Sequence, residues 1–272
     1  MRRLGNLNMG FVFNFVKLFN IWFVRFLLSL KQIKEYKANF LSVLLFDLIL
    51  FFSTMLFYTI FLGDVSSDIL GWGINEFVLL FCFGLLGGKF TWMFNLFGFS
   101  GRLLSGELNL YLVRPVNAFF MAATSKMSGA NFVTSVFLFL FSLIWLFIND
   151  FKYILLVVVL MVFGWFMYST LYCFMESISF FLKDNTFIMG PLKRVNYMLQ
   201  FYTISFFENS RAVKVFALFP CVLYSYIPIE VARGNLEVLN LYLLPLVLSF
   251  LGMVLSIYFM WKFGLKNYEA FG

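Results

Sequence analysis

Two carboxylates stand where carboxylates are costly. Asp47 and Glu176 each interrupt a long run of Phe, Leu, Ile and Val. A charge at the centre of a membrane helix costs about 2.5–3.5 kcal/mol on insertion scales. Asp47 follows Lys37 by about ten residues, so it lies roughly 15 Å further along a helix axis. It must face other helices, line a cavity, or carry a proton. It therefore reads either as a contact for substrate or proton, or as a buried polar staple between helices. Glu176 lies nearer the end of its run, within reach of interfacial water or a loop cation. Neither belongs to an Asp/Glu/His relay, which argues against a proton pump.

The other reactive residue types exclude more than they offer. The chain has no histidine, which removes His-based zinc sites and Ser-His-Asp or Cys-His triads. Cys82, Cys173 and Cys221 have no motif spacing and read as packing residues, not as a metal or disulfide site. The stretch "GLLGGKFT", Gly84 to Thr91, has the look of a phosphate loop but not its pattern. That pattern needs Gly, four residues, then Gly-Lys-Ser/Thr. Here Phe83 occupies the first glycine position and Phe90 follows Lys89. Helix packing through Gly84-xxx-Gly88 is the simpler expectation. No nucleotide site is visible, so any ATP used would be bound by another polypeptide. An enzyme would have little to work with.

One polar stretch remains. "GELNLYLVRPVN", Gly106 to Asn117, carries Glu107, Asn109, Arg114 and Pro115 between two greasy runs. Glu107 lies near the start of a short helical pattern, where its charge suits the helix dipole. Leu104, Leu108 and Tyr111–Leu112 recur on one face; Leu103, Glu107, Leu110 and Arg114 line another. Pro115 stops the helix, because the residue before a proline is pushed from the α region. A short amphipathic helix of this kind serves either as a docking surface or as a bilayer anchor.

The elements that must carry these residues follow from composition. Of 272 residues, 62% are hydrophobic and 12% charged, against about 45–50% and about 25% in soluble domains. A spanning helix needs about 20 mostly apolar residues. The runs predict an all-α membrane protein with six spans, over 38–62, 73–97, 128–148, 153–182, 186–207 and 240–263. A secretory signal peptide is not expected. Arg2 and Arg3 are followed by a stretch broken by Lys17 and Arg25, with no Ala-x-Ala-like site. Between Phe11 and Lys34, polar residues recur at Asn14, Lys17, Asn20, Arg25, Ser29 and Gln32. That stripe predicts an amphipathic helix in the cytoplasmic interface, so that 1–37 is an interfacial segment and 38–272 the six-span transmembrane domain.

Charge sets the orientation. With six spans and a cytoplasmic N-terminus, Lys152, Arg211, Lys214 and Arg233 fall outside. The rest of the twenty Lys and Arg lie at or near the inside face. Asp64, Asp68, Glu76, Asp150, Glu208, Glu230 and Glu237 fall outside too, a positive-inside pattern. Both termini are then cytoplasmic, and 98–117 is a cytoplasmic loop between spans two and three. The segment 208–239 contains Val213 to Ile229, which is apolar but too short to cross and is broken by Pro220 and Pro228. It predicts an outer re-entrant hairpin, packed among the spans because its backbone must be covered by protein.

Four segments together carry a resemblance. "SGELNLYLVRPVNAFF" (Ser105 to Phe120) resembles the loop signature of ABC-2 type permeases, the membrane subunits of ATP-binding-cassette exporters. One branch reads close to Gly-Glu-Leu-Asp-x-x-Leu-x-Arg-Pro-Val; here Asn109 replaces the usual acid. "KQIKEYKANF" (Lys31 to Phe40), "FPCVLYSYIPIEVARG" (Phe219 to Gly234) and "FGLKNYEAFG" (Phe263 to Gly272) are similar to the entry to the first span, the outer re-entrant segment and the C-terminal end. The resemblance implies that the loop is a coupling helix docking on a separate cytosolic ATPase. It assigns that contact to Gly106, Glu107, Leu108, Leu110, Tyr111, Leu112, Arg114 and Pro115. It implies two permease chains, identical or related, in the plasma membrane. ATP and Mg would sit on the partner, with no cofactor, metal or nucleic acid on this chain. The competing reading is a secondary transporter or channel subunit without an ATPase, with only Asp47 and Glu176 to line a pathway.

Overall fold

The computed structural model describes residues 7–62, 72–94, 99–114, 116–125, 127–182, 186–201, 219–266 and 268. These are helical, with no strand among them. In chain order, α1 is Leu7–Glu35, α2 Lys37–Phe57 continuing into a π-helical turn Tyr58–Leu62, and α3 Ile74–Phe94. Three short helices follow: α4 Phe99–Leu104, α5 Leu108–Leu112 and α6 Ala118–Ala123. Then come α7 Gly129–Ile148, α8 Ile154–Ser177, α9 Ser179–Leu182 and α10 Thr186–Phe201. The last three are α11 Pro220–Tyr224, α12 Tyr226–Arg233 and α13 Glu237–Gly264.

Five of the described helical stretches are long and apolar enough to cross a membrane: Lys37–Ile60, Ile74–Thr91, Gly129–Ile148, Ile154–Leu182 and Tyr242–Gly264. They coincide with the first four and the last of the six expected spans. The expected span over 186–207 is different. Its described part, α10, has 16 residues, contains Pro191 and carries Lys193, Arg194 and Asn196; positions 202–207 lie outside the described residues. The chain is thus a multi-pass membrane protein with five apolar spanning helices among its described residues.

The bundle is built around α3. Phe77 through Phe83 are buried without a break, so α3 is enclosed on every side, as an all-round apolar helix must be. By contrast, α2 has no buried residue. Against α3 and α8 lie α11 and α12, whose residues Pro220 to Ala232 are buried throughout. Pro220 sits in the first turn of α11, where its missing N–H costs nothing. Tyr224 fits between two glycines. A Cβ on Gly87 would come within 2.2 Å of the Tyr224 ring, and one on Gly164 within 2.7 Å of its backbone N. Only glycine on α3 and α8 leaves room for this insertion.

A polar cluster closes the end of α12. Trp72 Nε1 donates to Glu230 Oε1 at 2.8 Å, Arg233 to the same oxygen at 3.1 Å, and Asn235 Nδ2 to Oε2 at 3.0 Å. The N–H of Lys152 donates to the Ala232 carbonyl at 2.7 Å. Buried polar groups of this kind are stable only when partnered, and Glu230 is partnered three times.

Candidate functional site

The short helices α4 to α6 form a layer against one end of the bundle. Gly106 makes the turn from α4 into α5 with φ +72°, a conformation that favours glycine. Glu107 precedes α5 and accepts from Tyr111 Oη at 3.1 Å. Leu108 is wholly buried and Tyr111 6% exposed; both join Phe99, Leu103, Met121, Ala122 and Trp261 in a second small core. Leu110, Leu112 and Val113 point outward, with Val113 86% exposed, and Arg114 is exposed beside them. Pro115 lies outside the described residues. Of the residues expected on one face, Leu108 and Tyr111 turn inward, while Leu112 is exposed with Leu110 of the other face. Leu108 and Tyr111 fasten the layer to its own chain, and Leu110 and Leu112 are left for another surface. Val113, which the reading of the sequence passed over, joins them; its signal was its place opposite Tyr111 on the helix.

Further contacts lock the layer to the spans. Glu176, on α8, accepts from the Ser100 backbone N–H in the first turn of α4 at 3.2 Å, a favourable place for a carboxylate. Arg102 is 5% exposed and donates to the Ala122 carbonyl at 2.7 Å and Ser125 Oγ at 2.6 Å. Trp261, on α13, donates to Ser177 Oγ at 3.0 Å while its ring contacts Phe99, Phe119 and Phe180. Arg25, on α1, donates to the Met121 carbonyl at 3.1 Å and to Thr124 Oγ1 at 2.5 Å. Burial, and then the neighbouring positive charge of Arg114, hold the Arg25 pKa below its ordinary value. Gly129 sits against the Ser29 carbonyl, 2.4 Å from where a Cβ would be, so α1 crosses the start of α7 at close range.

A second constellation lies inside the bundle. Asp47 Oδ2 contacts Lys89 Nζ at 2.5 Å, pinning α2 to α3. Asp47 thus meets a partner that the sequence analysis placed in a failed phosphate loop. Both charges line a cavity of about 720 Å³ between α2, α3, α7, α8 and α10. Its polar lining includes Asn131, Tyr172, Lys193 and Asn196. Tyr168 Oη donates to Tyr172 Oη at 3.0 Å, and Asn196 Nδ2 donates to Tyr168 Oη at 2.5 Å. Gly84 and Gly88 face this cavity, and a Cβ on Gly88 would meet nothing within 4 Å. Gly87 makes the close approach, and Gly88 opens the cavity. Glu176 lies apart, in the loop-layer contact. Asp47 and Glu176 line different cavities.

Among the described residues, no group of three or more His, Cys, Asp or Glu could hold a metal ion. A family model described as ABC-2 family transporter protein matches residues 47–272. No curated protein matches the chain. The matched stretch takes in the loop layer, the Asp47–Lys89 pair and the cavity residues from Asp47 onward, but not Ser42, Val43 and Phe46.

Proposed function

The chain belongs to the ABC-2 transporter family, and from that premise we propose that it is the permease subunit of an ATP-driven exporter. Proteins of this family work with a cytosolic ATPase and as dimers. Here the permease would pair with a second permease chain, identical or related, in the plasma membrane. Both termini and the loop layer would face the cytosol, with α1 in the inner interface, a sixth span over 186–207 and α11–α12 as a re-entrant hairpin from outside. ATP and its magnesium ion belong to the partner, and this chain carries out no catalysis.

The observation that carries the reading is the two-sidedness of α5. Its inner face, Leu108 and Tyr111, is locked into the chain, and its outer face presents Leu110, Leu112, Val113 and Arg114. A rigid piece with an apolar, basic outer face is what a motor can push as a unit. Arginine is enriched at interfaces, and the core of an interface patch is more apolar than the remaining surface.

The test uses the native complex in membranes. Leu112→Asp or Arg114→Glu should leave membrane insertion intact. Co-purification of the cytosolic ATPase and transport-coupled ATP hydrolysis should both fall at least ten-fold. Normal hydrolysis coupling in both variants would overturn the coupling role. A fully active assembly without any ATPase would favour the channel or secondary-transporter alternative.

A further inference from the structure

We propose that the bend between α1 and α2, with the groove between α2 and α7 beside it, binds a phospholipid whose head carries net negative charge. The inference requires only that α2 and α7 span a bilayer. It does not involve the ATPase, so its failure would leave the coupling reading untouched.

The head site is defined by exposed charge. Lys31 and Lys34 lie near the end of α1, Tyr36 makes the bend, and Lys37 opens α2. All three lysines are exposed. Among the described residues, none of their ammonium groups is held by a hydrogen bond or an ion pair. Glu35 is the one carboxylate between them, so the bend is net positive. Tyr36 is 64% exposed, and tyrosine is enriched at headgroup level. Lysines clustered next to a spanning helix attract anionic lipid.

The tail site continues the same stripe. A cavity of about 380 Å³ runs between α2 and α7. Six of its eight lining residues are apolar: Leu44, Leu48, Phe51, Phe137, Leu138 and Phe141. Seven residues make nearly two helical turns, so Lys37, Leu44 and Phe51 share one face of α2. At 1.5 Å per residue, Leu44 and Phe51 lie about 10 Å and about 21 Å along the axis from Lys37. Those depths bracket half of a hydrocarbon core of about 30 Å, the share of one leaflet. The other wall begins at the same bend: Gly129, at the start of α7, lies against the Ser29 carbonyl, and Phe26 meets Phe132 edge-on at 4.7 Å. The two polar residues of the groove are already served, Asp47 by Lys89 and Thr134 Oγ1 by the Ala130 carbonyl at 3.1 Å. An acyl chain leaves both as they are.

Charge also chooses between a lipid and a second copy of the chain. In a two-fold dimer the same patch faces itself. A copy seated on this groove would bring a second set of the same lysines towards the first, and like charges set opposite one another are costly. A negative phospholipid head neutralises them instead.

The experiment uses the purified full-length chain in dodecyl maltoside micelles. Dioleoylphosphatidylglycerol, dioleoylphosphatidylcholine and glycerol phosphate are titrated separately, read by native mass spectrometry and by thermal unfolding. Phosphatidylglycerol should bind saturably, at least ten-fold more tightly than phosphatidylcholine, and raise the unfolding temperature. The triple variant Lys31→Gln/Lys34→Gln/Lys37→Gln should bring its binding down to the phosphatidylcholine level. Leu48→Trp, which fills the groove from a position 44% exposed, should weaken both lipids; should that variant not fold, the triple variant, changed only at exposed positions, decides alone. Equal binding of the two lipids, or unchanged binding by the triple variant, overturns the head site. Glycerol phosphate binding as tightly as phosphatidylglycerol, or unchanged lipid binding by Leu48→Trp, overturns the groove. Disulfide cross-linking of Leu48→Cys between two copies in native membranes would put a second chain on the groove and overturn the lipid.

Discussion

Asp47 shows what a single residue can and cannot reveal. Its cost in an apolar run is legible, and so is the short menu of ways to meet that cost. Its partner is not, because Lys89 belongs to a different helix and no local period links the two. The pair makes a definite prediction. Lys89→Met leaves a carboxylate unbalanced in the bundle and should destabilise the protein by about 3–5 kcal/mol. The double variant Asp47→Leu/Lys89→Met should recover most of that loss, since apolar replacement of a buried pair is often neutral. Unfolding in detergent followed by circular dichroism checks both. The glycines give the sharper contrast. Gly87→Ala must displace the Tyr224 ring and should cost about 1–3 kcal/mol, as overpacking does. Gly88→Ala should change stability by less than about 0.5 kcal/mol. Sequence spacing pointed at Gly84 and Gly88 because a four-residue step is the familiar packing signature. What decides is which glycine the Tyr224 ring approaches, and that depends on α11, a segment far along the chain.

Among the elements, the long apolar helices were legible because a run of about 20 apolar residues has few other uses. The short helices were legible in part. Pro220, Pro228 and the breadth of apolar character pointed to a covered hairpin, and the residues of α11 and α12 are indeed buried. A short helix lies at Leu108–Leu112, but the division of its faces was not readable. Two apolar stripes on so short a helix look equivalent until Met121, Trp261 and Phe99 close over one of them. Glu176 is a further case: a carboxylate that could reach water or a loop cation accepts from the backbone of α4. Hydrogen bonds to a charged group contribute about 1.5–3 kcal/mol. Glu176→Ala should loosen α4 from α8. Hydrogen exchange at Ser100 and its neighbours should rise about ten-fold or more, while Leu112 remains available to the ATPase.

At the scale of the molecule, the distribution of burial is uneven. α3 lies enclosed, whereas every residue of α2 keeps contact with the surroundings. In a bilayer that surface faces acyl chains or a second permease, so the exposed Leu45, Ile49, Phe52 and Leu56 are no liability. Orientation is the property that charge counting alone supplies, and it is open to a direct check. A cysteine introduced as Val113→Cys, at the most exposed apolar position of the loop, should react with a membrane-impermeant maleimide only after the cells are permeabilised. Labelling in intact cells would invert the whole topology.

The grip of Arg25 on Met121 and Thr124 means that the first helix is no passive float. In the proposed arrangement, whatever tugged the loop would drag this raft through the headgroups as well, and the viscosity of the inner leaflet would brake every stroke. A fluorophore on the raft's outer flank, at Phe23, would sense each stroke from a distance.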